Sequence, residues 1–360
     1  MICQPSPTAV DASGVVDALA HDAVRWVGET LAERYREQST IPGATGRLAT
    51  PQDLSEYVGF LAAALATPAP QYFQDYERWL CAVLESRGLP AQTLDEPLLL
   101  LRQFFEDRLD PATVKPVLEM LDAGSTARKD KTAPTQPLYH AHVPEAIADV
   151  EPLTRAMLRG DMGAARGIAR SAAASHGYLK IATRLFQPAL YTIGLMWQQN
   201  EITVAQEHLA TAIAQNVLAQ LYATAEFAPP LDRKALFAAV PENQHPLGLR
   251  MVSDAFELAG WSVHYLGANT PTEALVAHVD AWRPEVVGLS ASLVQHLSAV
   301  KETVNALRDA FGSGCPRILV GGIPMNQIDG IWRWTGADAY GPDAEKARSE
   351  EHTSELQSQR

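Results

Sequence analysis

The chain reads as a multidomain protein: an all-α N-terminal domain, a four-helix bundle, then a doubly wound α/β domain with a five-stranded parallel sheet. Three observations predict this. Residues 1–124 carry helical apolar spacing punctuated by Pro and Gly, with no strand signal. Residues 143–228 hold four helical stretches joined by short loops. Residues 232–347 alternate short apolar runs with amphipathic helices, the flavodoxin-like pattern.

In the first region Val15, Leu19, Val24, Val27 and Leu31 give a helix over 15–36 its stripe. Pro51-Gln52-Asp53 opens a second helix through Ala66, and 70–87 forms a third, closed by Gly88. Helices over 94–109 and 111–121 follow, the last ended by Gly124. Residues 125–142 are polar with two prolines and read as a linker. Its His140 and His142 have no carboxylate or Cys at ligand spacing and read as solvated.

The bundle helices span 143–158, 162–176, 178–199 and 204–226. Gly160 and Gly177 separate the first three. Thr203 followed by Gln206 is a capping box that sets the start of the fourth.

In the α/β region, strands over 235–240, 262–266, 286–290, 317–320 and 337–340 alternate with helices over 246–258, 272–281 and 294–311, and a last helix begins at Asp343. The purely polar residues 348–360 interrupt that helix and read as a non-native tail, set aside from the functional reading.

Hydrophobic residues make up 47% of the 360 and charged residues 20%, a globular balance. A net charge of −13 argues against a duplex-DNA module, so no nucleic-acid partner is expected. No signal peptide or membrane span is legible, and three cysteines without a CxxC pair fit a reducing cytoplasm.

Three features fall at carboxyl strand ends, where ligands bind in open α/β sheets. They are Asn243-x-His245-x-x-Gly248 after the first strand, Ser290-x-Ser292 after the third and Gly321-Gly322 after the fourth. A His supplies a ligand nitrogen, serines supply hydroxyls without bulk, and paired glycines admit something large and flat. This set resembles the cobalamin-binding domain shared by methionine synthase, base-off mutases and cobalamin photoreceptors. The resemblance implies that His245 is the lower axial cobalt ligand and that the nucleotide tail runs past Ser290, Ser292 and the Gly pair. Two departures stand out. Asn243 replaces an Asp, so it accepts a hydrogen bond from the His without charge. Ser292 replaces a Leu.

The bundle carries Trp197-x9-Glu207-His208, which resembles the signature of photoreceptor cobalamin domains. That likeness implies that Trp197, Glu207 and His208 cover the adenosyl side of adenosylcobalamin. Gln198 stands where gene-regulating photoreceptors place a His that takes the cobalt position after light; an amide is a poor Co(III) ligand, which leaves His208 as the nearest substitute.

An all-helical N-terminal domain in place of a winged-helix DNA reader resembles the photocobilins, which also bind biliverdin. For a bilin, Tyr72, Tyr76 and Trp79 share one helical face, with Arg34, Arg36, Arg78 and Arg102 as cations near in sequence; the bland reading of the same aromatic stripe is core. Cys3 is a candidate for a thioether to a bilin, and Cys81 reads as packing.

The resemblance thus implies a non-enzymatic light sensor holding small-molecule chromophores, with a light-dependent homo-oligomer or an effector protein as its readout. A corrinoid methyl carrier of a methyltransferase system and an empty, degenerate cobalamin fold are the alternatives.

Overall fold

A computed structural model describes residues 5–35, 50–130 and 145–349. Cys3, Arg36, His140, His142, the predicted helix start at Val143 and the tail from residue 350 lie outside the described residues. The chain divides into two compact units, Met1–Leu138 and Tyr139–Arg360.

The first unit is helical throughout its described residues: α1 (Pro7–Arg34), α2 (Pro51–Ala66), α3 (Gln71–Ser86), α4 (Asp95–Arg108) and α5 (Pro111–Lys129). Each of α1, α2 and α5 opens with Pro in its first turn behind a capping side chain, Ser6, Thr50 and Asp110 respectively. The buried stripe of α1 runs through Ala12, Val16, Ala23, Val27 and Leu31. Val15, expected inside, is 37% exposed. Gly124 does not end its helix as expected; α5 runs on to Lys129. The glycine is a packing residue: a Cβ there would lie 2.6 Å from Phe73 Cε1.

The second unit begins with a bundle of α6 (Val150–Leu158), α7 (Met162–His176), a long third helix, and α10 (Val204–Tyr222). The third helix is α8 (Tyr178–Ile181), a π turn (Ala182–Phe186) and α9 (Gln187–Gln198) run together. The sequence explains a fault at this point. Pro188 has no N–H, so the Arg184 carbonyl loses its α-helical donor. The Ile147 N–H fills that place at 3.0 Å. The Thr203–Gln206 capping box forms as expected.

The α/β part comprises β1 (Lys234–Ala239), α11 (Leu247–Leu258), β2 (Ser262–Gly267), α12 (Thr272–Trp282), β3 (Val286–Ser290), α13 (His296–Phe311), β4 (Arg317–Gly321), α14 (Ile323–Gln327) and β5 (Ala339–Gly341). Residues 344–349 are helical again. The sheet is parallel in the order β2-β1-β3-β4-β5, the flavodoxin-like order. Register brings the three motif loops together: Ala239 pairs with Ser290, and Ser290 with Gly321.

The bundle packs on the α/β part through α11, whose Met251 and Ala255 join the bundle's core, as does Ala344. Polar contacts fasten the same seam. Tyr178 Oη donates to Asp254 Oδ2 at 2.5 Å. The Arg184 guanidinium meets Glu345 through two 3.0 Å bonds, and Thr183 Oγ1 donates to the same carboxylate at 2.7 Å.

Candidate functional site

The loop after β1 is built from short polar ties. Asn243 N–H donates to the Val240 carbonyl at 3.1 Å, and Glu242 N–H to Asn269 Oδ1 at 2.7 Å. Glu242 lies at φ +66°, a left-handed conformation that a non-glycine residue holds only when its neighbours enforce it. Asn243, fully buried, joins two loops: Oδ1 accepts the His245 backbone N–H at 3.1 Å and Nδ2 donates to the Ser290 carbonyl at 2.9 Å. The acceptor that the sequence assigned to the His245 ring receives, in this structure, the His245 main chain. Its oxygen holds the main chain of the loop, and its amide nitrogen ties that loop to the end of β3.

His245 opens into a cavity of about 330 Å³ between the carboxyl end of the sheet and the bundle. Gly248, Ser290, Ser292, Gly321 and Gly322 line it from the same side, so six of the seven predicted residues of the α/β part converge there, with Asn243 behind the wall. Desolvation by the surrounding protein holds the His245 ring below its ordinary pKa, opposed by the Glu207 carboxylate across the cavity. A depressed imidazole is neutral at physiological pH and keeps a lone pair for a metal. Gly322 has no substitute at its place. It sits at φ +112°, and a Cβ there would meet the Ala291 carbonyl oxygen at 1.8 Å.

The bundle side differs from expectation. Glu207 lines the cavity, but Trp197 and His208 do not. Residues on a helix share a face at intervals of four, so α10 presents Glu207, Thr211 and Gln215 to the cavity. His208, about 100° further round, has a side chain 75% exposed. It still holds Glu207, Nδ1 to Oε2 at 2.5 Å, while Thr211 Oγ1 donates to Oε1 at 2.9 Å. Trp197 is half-buried against the bundle core, and Gln198 is buried. Gln187 and Tyr191 of α9 complete the polar roof. Thr211 and Gln215 were findable from Glu207 by helical spacing alone.

His296 was not singled out by its sequence position. It is buried at the start of α13, and its Nδ1 accepts the N–H groups of Leu293 at 3.2 Å and Ser292 at 3.4 Å. Burial, with His245 nearby, pushes its pKa down to about 4.

In the first unit the aromatic face expected for a bilin is packed. Tyr72 and Tyr76 are 2% exposed, and Tyr76 stacks on Phe60 at 3.8 Å. Arg34 pairs with Glu96, Arg78 with Asp75, and Arg102 with Asp122 and Glu106. Tyr72 and Tyr76 are thus core residues, while Trp79 is part-buried. Burial also pushes the Cys81 thiol up to about 11, the state of a packed thiol.

Residues 233–348 match a family model described as a B12 binding domain, and residues 150–222 match a second model of the same description. The bundle and the α/β part thus each match a B12 binding domain, which supports a cobalamin cofactor. Among curated proteins the chain is similar to the HTH-type transcriptional repressor CarH of Myxococcus xanthus, 34% identical over 145 residues, 40% of this chain and 47% of the repressor. It is 36% identical to the HTH-type transcriptional repressor CarA of the same organism over 123 residues, 34% of this chain and 41% of that protein. Dimethylamine corrinoid protein 2 of Methanosarcina mazei is 27% identical over 111 residues, 30% of this chain and 50% of the relative. The chain thus spans half or less of the length of each. No helix among the described residues is long and apolar enough to cross a membrane.

Proposed function

We propose that this chain is a light sensor that holds adenosylcobalamin, base-off, between its bundle and its α/β part. The observation that carries the proposal is the pairing across one cavity of a neutral imidazole, His245, with a carboxylate from the Trp197-x9-Glu207-His208 stretch. The residues fit the cofactor. His245 offers a single nitrogen, which suits a metal that brings its own equatorial ligands. Gly322 lines the cavity and lets the loops after β3 and β4 meet main chain to main chain, which would leave room beside them for a corrinoid's tail.

When bound, adenosylcobalamin supplies a cobalt–carbon bond that light cleaves. The protein does the rest. His245 would hold the cobalt through its ring nitrogen. Glu207, oriented by Thr211 and His208, presents a carboxylate that would accept hydroxyl donors from a bound ligand. Thr211, Gln215 and Tyr191 add hydrogen-bonding groups to that wall. Were an upper ligand lost, these groups would be left without their partner, and the packing of the bundle on α11 would be the contact to respond. The Tyr178–Asp254 and Arg184–Glu345 contacts are the ones such a response would strain. A change of homo-oligomeric state or of an effector contact reads it out. A bilin has less support, because Tyr72 and Tyr76 of the aromatic face named for it are packed in the core.

The test is to load the purified chain with adenosylcobalamin in the dark, illuminate it, and follow the absorption spectrum and the oligomeric state. Dark binding followed by a light-dependent change in both is expected. Absence of dark binding, or a spectrum indifferent to light, rejects the proposal.

A second reading is a corrinoid methyl carrier, favoured by the likeness to the dimethylamine corrinoid protein. It predicts tighter binding of methylcobalamin than of adenosylcobalamin, and methyl transfer to an added acceptor enzyme.

A further inference from the structure

We propose that His296 is a positioning residue for the nucleotide tail of the cobalamin, a role that rests on the cofactor reading above. The tail's path past Ser290 and Ser292 depends on the turn that joins β3 to α13, and the main chain of that turn is tied at both ends. The Ser290 carbonyl accepts from Asn243 Nδ2 at 2.9 Å and from the Val240 N–H at 3.2 Å. Ala291 N–H donates to the Gly321 carbonyl at 3.1 Å. The next two N–H groups, of Ser292 and Leu293, both turn to His296 Nδ1. One buried ring nitrogen thus sets the downstream half of the turn. In accepting, it leaves its own proton on Nε2.

The consequence is local. Ser292 is part-buried on the cavity wall, and its Oγ makes only a long 3.5 Å approach to the His245 carbonyl. That hydroxyl is free to rotate toward a ligand provided its backbone stays in place. His296 keeps it in place without lining the cavity.

The test exploits the geometry of amide side chains. Asparagine places an oxygen where Nδ1 stands, glutamine places its polar atoms near Nε2, and leucine supplies none. Wild type, His296→Asn, His296→Gln and His296→Leu are titrated in the dark with adenosylcobalamin and with adenosylcobinamide, which lacks the nucleotide. Thermal melts of the unloaded proteins accompany the titrations.

His296→Asn is expected to bind both corrinoids like wild type. His296→Gln and His296→Leu are expected to lose about tenfold in affinity for adenosylcobalamin, the scale of one lost buried hydrogen bond, and to keep their affinity for adenosylcobinamide. The glutamine variant keeps the test open if the leucine variant does not fold. Equal losses for both corrinoids, or no loss with either, overturn the positioning role while leaving the cofactor reading intact. A wild type that binds neither corrinoid overturns the cofactor reading itself, and His296 with it.

Discussion

Asn243 touches His245 only at the main chain: its Oδ1 accepts the His245 backbone N–H at 3.1 Å, and nothing joins the carboxamide to the imidazole ring. The buried amide therefore sets where the loop runs, while its Nδ2 ties that loop to the Ser290 carbonyl. An Asp at this place would keep the acceptor and lose the donor. Asn243→Ala should cost about 2 kcal/mol, since it leaves buried main-chain groups unpaired. Asn243→Asp should cost at least as much, because a carboxylate would face the Ser290 carbonyl oxygen. Urea denaturation of the unloaded proteins measures both.

Gly248 gives the opposite separation. A Cβ there meets nothing within 4 Å, so the fold does not require glycine at this place. Because the residue lies in the first turn of α11 and lines the cavity, Gly248→Ala should leave stability unchanged or raise it by about 0.5–1 kcal/mol. Cobalamin affinity should fall by roughly tenfold, as the methyl group narrows the floor beside His245. Thermal melts and dark titrations check the two halves independently; unchanged affinity would show that the corrinoid does not press on this wall.

Acid should destabilise the second unit through its histidines. His296 ionises near 4 in the folded protein against an ordinary 6.5, and His245 is shifted in the same direction. The unfolded chain therefore binds protons first as pH falls. The contribution of His296 is complete above pH 6.5 and is lost progressively between 6.5 and about 4, amounting to roughly 3 kcal/mol. The pH dependence of stability in His296→Asn should be flatter by that amount over the same interval. Parallel curves for the two proteins would refute the assignment.

Gly124 sets two effects against each other. Alanine at a mid-helix glycine gains about 1 kcal/mol of helix propensity. Its Cβ would also stand 2.6 Å from the ring of Phe73, which is fully buried and cannot swing away. Overpacking of that kind costs about 1–3 kcal/mol. Gly124→Ala should therefore lower stability on balance, by about 1 kcal/mol, in chemical denaturation.

Much of the fold was legible because periodicity reports burial directly. Strand order and the meeting of Asn243, Ser290 and Gly321 followed from parallel βα alternation, which leaves few ways to arrange the loops. Gly124 misled because a glycine demanded by a crossing Phe73 looks the same in sequence as one demanded by a helix stop. Val15 and Val16 are both apolar, and only packing decides which faces inward. At the site, Glu207 was legible as part of a motif. His208 entered through the same motif resemblance, while helix geometry points it about 100° away from Glu207. His296 carried no signal at all, because its partners are backbone N–H groups that every residue shares.

The π turn has a mechanical consequence. Pro188 exposes a carbonyl on Arg184 that Ile147 engages through its N–H, while the side chain of the same arginine grips Glu345. One residue is thus a rivet through which tension on the chain at Ile147 passes to the far end of the α/β part without crossing the apolar core. Force and geometry share a single joint there, and a substitution at Pro188 that restored the helical donor would compete with Ile147 for that carbonyl and slacken the joint while leaving the Arg184–Glu345 pair in place.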